Sequence, residues 1–167
     1  SDWPEQQVKV VMEDVSPHVG SVTYRVTDLG LRQMLFSIPQ IPANDTAKAV
    51  AAGINKVSGE TGVTATAKTE ANLELTAGKS FALELQSDNA TAVTISFSIG
   101  TDDANGYAGA ISAFNAQSSK TGVTASYDAD NGGLKLTQAD GNDIKVKNTS
   151  TDPADSVAQL ANYDADG

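Results

Sequence analysis

The sequence predicts an α+β fold: two tandem β-rich units, each running strand, short helix, β-hairpin, strand, with its helix packed on an antiparallel sheet. Three observations lead there. A pentapeptide occurs twice, sixty residues apart; apolar alternation with period two flanks each copy; and a brief stretch at helical period precedes each copy.

The pentapeptide is Thr61-Gly62-Val63-Thr64-Ala65, which returns as Thr121-Gly122-Val123-Thr124-Ala125. The same offset places Asn55 on Asn115 and Ser58 on Ser118. Phe36-Ser37-Ile38 reappears as Phe97-Ser98-Ile99, and the Leu73/Leu75/Thr76 pattern as Leu134/Leu136/Thr137, each shifted by one more residue. Length differences of this kind belong in loops.

Each unit opens with a strand whose alternate residues are apolar: Met34, Phe36 and Ile38 in the first, Val93, Ile95, Phe97 and Ile99 in the second. A polar turn follows, Asn44-Asp45-Thr46 or Asp102-Asp103-Ala104-Asn105, whose side chains can accept from the free N–H groups at a helix start. Ala47, Val50, Ala51, Ile54 and Val57 then form one helical face, as do Tyr107, Ala110, Ile111 and Phe114. Thr-Gly ends each helix, because glycine tolerates the left-handed conformation of a helix end. Val63, Ala65 and Ala67, or Val123, Ala125 and Tyr127, resume a strand with these residues inward.

Hairpin turns are expected at Glu70-Ala71-Asn72 and at Asp128 to Gly133, ahead of Leu73/Leu75 and Leu134/Leu136. A last strand carries Phe81, Leu83 and Leu85 in the first unit. In the second it carries Ile144 and Val146, after Asp140-Gly141-Asn142-Asp143. Val8 to Val10 and Val22 to Val26 read as two further strands, and Asp152-Pro153-Ala154-Asp155 signals a short helix through Val157, Leu160 and Ala161. The chain therefore divides into N-terminal strands at 1–32 that join the first sheet, a first unit at 33–90, a second at 91–150, and a C-terminal short helix and tail at 151–167.

Composition narrows the function. Lys and Arg number 11 against 21 Asp and Glu, and the net charge of -10 repels nucleic-acid phosphates and anionic membrane surfaces alike. Neither is expected as a partner. No apolar run approaches the roughly 20 residues that span a bilayer. Ser1-Asp2-Trp3-Pro4-Glu5 lacks the basic and then apolar stretches of a signal peptide. The absence of cysteine removes disulfides, thiolate metal sites and cysteine nucleophiles together. Ser1 in place of Met and an ending in Asp-Ala-Asp-Gly read as a fragment of something longer.

The short Ala/Ile helix, Asn55 or Asn115, Thr-Gly-Val-Thr-Ala, a Leu-x-Leu-Thr strand and an Asp-Gly-x-Asp-Ile segment together resemble the motif of flagellins and hook-associated proteins. The second copy carries it more fully, from Ile111 to Ile144. The first has Ala77-Gly78-Lys79-Ser80-Phe81 where Asp-Gly-x-Asp-Ile stands in the second. The resemblance implies an outer, variable domain of bacterial flagellin, secreted, extracellular and structural, with motility and antigenicity as its roles. It implies flagellin or other flagellar subunits as partners through flanking helices, host-surface or antibody contacts, and a monomeric isolated fragment. An outer domain of a hook-filament junction or filament cap protein is the alternative within the same machinery. A carbohydrate-binding or adhesive module is the alternative of another class, with an enzyme behind both.

No residue is assigned a catalytic, cofactor-binding or metal-binding role. Asp128-Ala129-Asp130-Asn131-Gly132 has the alternate carboxylates of a calcium loop, but its twelfth position is Ala139 where a bidentate Glu is needed, so a hairpin turn is the reading kept. Asp102-Asp103 is read the same way. His18, the one histidine, has no second imidazole or activated nucleophile near it in sequence. Trp3, Tyr24, Tyr107, Tyr127 and Tyr163 are too scattered for a sugar-stacking platform. Asn44, Asn89 and Asn148 fit the N-glycosylation pattern of secreted eukaryotic chains. Thr64, Thr66, Thr94, Ser96, Thr124 and Ser126 are expected on outward faces.

Overall fold

A computed structural model describes residues 6–11, 20–26 and 45–163. The expected strand of Met34, Phe36 and Ile38 lies outside the described residues, as do Trp3, His18 and Asn44. The chain forms two compact units. One draws on the described residues up to Thr69 together with Asp140–Asp143, and the other on Glu70–Ala139 and Ile144–Tyr163. Each packs short helices on an antiparallel sheet, an α+β fold.

In the first unit, β1 (Gln6–Val11) pairs antiparallel with β2 (Ser21–Val26), Val10 facing Val22. β2 in turn pairs antiparallel with the first part of β3 (Thr64–Leu75), Val22 facing Ala67. The polar turn before the helix works through Thr46, whose Oγ1 accepts from Ala49 N at 3.2 Å and caps α1 (Ala47–Lys56). Ala47, Ala51 and Ile54 of α1 pack with Val22, Val63 and Ala65 into a core of small side chains. A single turn, α2 (Ser58–Thr61), follows. Asp140–Asp143 close onto this unit: Lys48 N donates to Gly141 O at 3.0 Å, and a Cβ on Gly141 would meet that of Ala67 at 2.4 Å.

The turn expected at Glu70-Ala71-Asn72 does not form, because β3 runs unbroken through it. Its buried positions keep period two, from Ala65 through Thr69, Ala71 and Leu73 to Leu75. A tight hairpin needs positive φ, and these three residues include no glycine to supply it. Reversal waits for Gly78, at φ 74°. The corresponding turn in the second unit does form, with Gly132 and Gly133 at φ 78° and 76°.

The second unit places β9 (Ala158–Asn162), the latter part of β3, β7 (Leu134–Gln138) and β6 (Val123–Tyr127) side by side in one sheet. β5 (Val93–Ser98), β4 (Ser80–Gln86) and β8 (Lys145–Asn148) form another, antiparallel at both pairings. Between them lies a core of Leu73, Phe81, Leu83, Leu85, Ile95, Leu134 and Leu136 among others. Helix α3 (Ala108–Ala116) packs on β5 and β6 and drives Phe114, fully buried, against Phe97, with ring centroids 5.9 Å apart. Phe97 stacks in turn on Phe81. Burying one such ring stabilises by about 2 kcal/mol.

The C-terminal helix expected after Asp152 is also corrected. Asp152 caps only a turn, accepting from Ser156 N at 2.8 Å, and the chain then extends as β9 to pair antiparallel with β3, Leu160 facing Leu73. A helix this short is marginal by itself, whereas the edge of β3 offers a full row of backbone partners.

Candidate functional site

The repeated pentapeptide sits at a corner where helix gives way to strand, built identically in the two units. Gly62 and Gly122 take φ 70° and 71°, and their N–H groups donate to Ser58 O and Ser118 O, both at 2.8 Å. The threonine before each glycine ties both sides of the corner. Thr61 Oγ1 donates to Val57 O and accepts from Val63 N, and Thr121 Oγ1 donates to Gln117 O and accepts from Val123 N, all four at 3.1 Å. Both threonines are buried, so these bonds satisfy hydroxyls that would otherwise be costly to desolvate.

One turn of helix earlier, an asparagine clasps the strand that leaves the corner. Asn55 Nδ2 donates to Ala65 O at 2.8 Å while its Oδ1 accepts from Ala65 N at 2.7 Å. In the second unit Asn115 does the same to Ala125, at 3.0 and 2.8 Å. A carboxamide has one donor end and one acceptor end, so it can mimic the backbone of a neighbouring strand; Asp, Leu or Ser in its place could not. The valine and alanine of the pentapeptide, Val63/Ala65 and Val123/Ala125, point into their cores, while Thr64 and Thr124 face solvent.

The second corner is further braced. Asp88 N donates to Thr121 O at 3.0 Å, and fully buried Gln138 donates from Nε2 to Asp88 Oδ1 at 2.8 Å.

The acidic hairpin between β6 and β7 gathers the most polar cluster. Asp128, 8% exposed, accepts at Oδ1 from Asp130 N and Asn131 N, both at 3.0 Å. At Oδ2 it accepts from the side-chain amides of Asn131 and Asn72, at 3.2 and 3.3 Å, and from the Tyr163 hydroxyl. Burial works against the charged form, but these donors outweigh it and hold the carboxyl well below the usual range. Burial and the facing carboxylate push the Tyr163 phenol up to about 12. Asn72 Nδ2 also donates to Gly132 O at 2.7 Å, and Lys135 pairs with Glu70 at 2.8 Å while lying 5.1 Å from the Tyr163 ring centre. The Asp128 oxygens thus serve the turn and the end of β9 as acceptors.

The other residues weighed from sequence take ordinary places. Asp103 Oδ1 accepts from Gly106 N and from Thr101 Oγ1, each at 2.8 Å, which lowers its pKa and caps the turn ahead of α3. Tyr107 is buried, and its hydroxyl accepts from Leu75 N at 3.1 Å and donates to Leu75 O at 3.0 Å. Tyr127 packs 5.6 Å from it. The amide of Asn89 donates to Leu85 O and Thr91 O, and that of Asn148 to Ser156 O. Thr64, Thr66, Thr94, Ser96, Thr124 and Ser126 are all exposed. Among the described residues no group of three or more His, Asp or Glu converges as a metal site, and no helix is long and apolar enough to cross a membrane.

What sequence reading missed is the role of Tyr163 and Asn72 at Asp128. Each lies far along the chain from it, and no local pattern announces such a contact.

No curated protein matches the chain. The family model described as the flagellin hook IN motif matches residues 40–79 and 86–140, together more than half of it. The first match encloses α1, the Asn55 clasp and β3; the second encloses β5, α3, the Asn115 clasp and β7. The chain therefore belongs to the flagellin hook IN motif family, carries that motif twice, and is a flagellin-type structural protein.

Proposed function

We propose that this chain is a surface-exposed outer domain of bacterial flagellin, extracellular, decorating the filament and serving motility and antigenicity. The observation that carries the reading is the pair of motif copies, each folded as the corner of a compact unit and neither carried on a long helix. The longest helix among the described residues, α1, has ten residues, too short for the heptad packing of a polymerising core. Thr64, Thr66, Thr94, Ser96, Thr124 and Ser126 face solvent, which suits a projecting domain. Contacts with neighbouring flagellin subunits, with host surfaces and with antibodies follow from that position.

The alternative within the machinery is an outer domain of a hook-filament junction or cap protein, since the matched motif is a flagellin hook motif. Immunogold labelling of native flagella with antibodies raised against residues 45–163 separates the two. Gold along the whole filament is expected. Gold confined to the base or tip would replace the filament reading with the junction or cap, and no gold on intact flagella would overturn both.

A further inference from the structure

A shallow depression of about 350 Å³ opens in the second unit at the end of β3, with Glu74, Asp102, Tyr107, Val157 and Gln159 around it. Glu74 and Gln159 are directly paired across the β3–β9 ladder, so their side chains share one face of the sheet. Thr76 fixes one wall: its N and Oγ1 approach Val157 O at 3.1 and 3.2 Å, and Val157 N donates to Thr76 Oγ1 at 3.1 Å. Held by its backbone, Val157 still leaves its side chain 41% exposed, and Leu160, on the strand that follows, is 40% exposed. They are the exposed large apolar residues among those described; Val157 immediately precedes β9 and Leu160 lies on it, and among the described residues β9 pairs with β3 alone. Tyr107, locked to both backbone atoms of Leu75, makes the floor rigid. Glu74 and Asp102 form no ion pair among the described residues.

A strand edge that is open among the described residues, an apolar wall and two carboxylates with no ion partner among those residues define the chemistry of what fits. We propose that this depression docks a basic, extended segment of another polypeptide, an Arg or Lys side chain entering between Glu74 and Asp102 and an apolar neighbour resting on Val157. Its backbone adds to the outer edge of β9. A second copy of this chain is the poorer occupant, since two bodies of net charge -10 repel as they approach. The carboxylates select the charge and steer the encounter, while the edge and the valine supply contact area.

Titrating the labelled protein with a blocked peptide of alternating valine and arginine, followed by amide NMR, tests this directly. Shifts are expected at Glu74, Val157 and Gln159, and a peptide with glutamate in place of arginine should give none. Glu74→Gln combined with Asp102→Asn should weaken binding about tenfold, the sum of two exposed charge contacts. Glu60→Gln on α2 should leave it unchanged, and Val157→Arg should weaken it by filling the depression from within. Unchanged near-UV circular dichroism of the variants verifies their fold. Absence of shifts, equal loss with Glu60→Gln, equal binding of the glutamate peptide, or sedimentation showing self-association through β9 would each overturn the proposal.

Discussion

Asn115 holds Ala125 by both of its backbone groups, donating from Nδ2 to the carbonyl at 3.0 Å and accepting the amide at Oδ1 at 2.8 Å. The side chain stands where a neighbouring strand would be, so β6 begins with its first pairing already made by the helix before it. Asn55 and Ala65 repeat the relationship in the first unit.

Replacing the asparagine should cost the unit that contains it. Asn115→Ala leaves two backbone groups of Ala125 to partly accessible water, an expected loss of about 1–2 kcal/mol. Asn115→Asp keeps the acceptor but sets a carboxylate against the Ala125 carbonyl, and should cost at least as much. Urea denaturation measures both, and hydrogen exchange should show the Ala125 amide losing protection before its neighbours. A protection factor at Ala125 unchanged in Asn115→Ala would refute the clasp.

The two corner glycines should respond unequally to the same substitution. Both need positive φ, which costs a non-glycine residue about 1 kcal/mol. A Cβ at Gly62 meets nothing within 4 Å, so Gly62→Ala should show that cost alone. At Gly122 it would lie 2.2 Å from Asp88 Oδ2 and disturb the Asp88–Gln138 bond, so Gly122→Ala should cost about 1–2 kcal/mol more. Equal losses in thermal melts of the two variants would contradict the bracing by Asp88.

Phe114 anchors α3 on its sheets, with no exposed surface and Phe97 against it. Phe114→Ala should destabilise the second unit by about 3–5 kcal/mol, through lost transfer energy and the cavity left behind. Near-UV circular dichroism and calorimetry report it. A loss below about 1 kcal/mol would mean that the core can collapse around the site.

The Asp128–Tyr163 contact makes stability depend on pH at both ends. The Asp128 pKa lies below its ordinary 3.8, so its contribution is present above that value and fades as the pH falls through the lower, folded one. The Tyr163 pKa is raised from 10.0 to about 12, so its contribution is present below pH 10 and fades as the pH rises through about 12. Tyr163→Phe should remove the alkaline component and shrink the acid one. Asp128→Asn should lower neutral-pH stability while flattening the acid limb. Stability profiles of wild type and Tyr163→Phe that superimpose at both extremes would show that the contact contributes nothing.

Sequence alone determined the repeat, the two helices that lead into the corners, the phases of the described strands that follow them and the family, because each is written in local chemistry. Thr121-Gly122 announces a left-handed corner, and Phe114 announces a core face four residues from Ala110 and three from Ile111. The equivalence of Asn55 and Asn115 was visible at the same stage, but not their purpose. Only tertiary structure decided what the asparagines hold, why Glu70-Ala71-Asn72 stays extended, and why Val157 to Asn162 follows a strand edge instead of coiling. It likewise decided that Asp128 would be met by Asn72 and Tyr163. The reason is common to all of these: the competing conformations are close in local free energy, and backbone and side-chain partners distant in sequence decide between them.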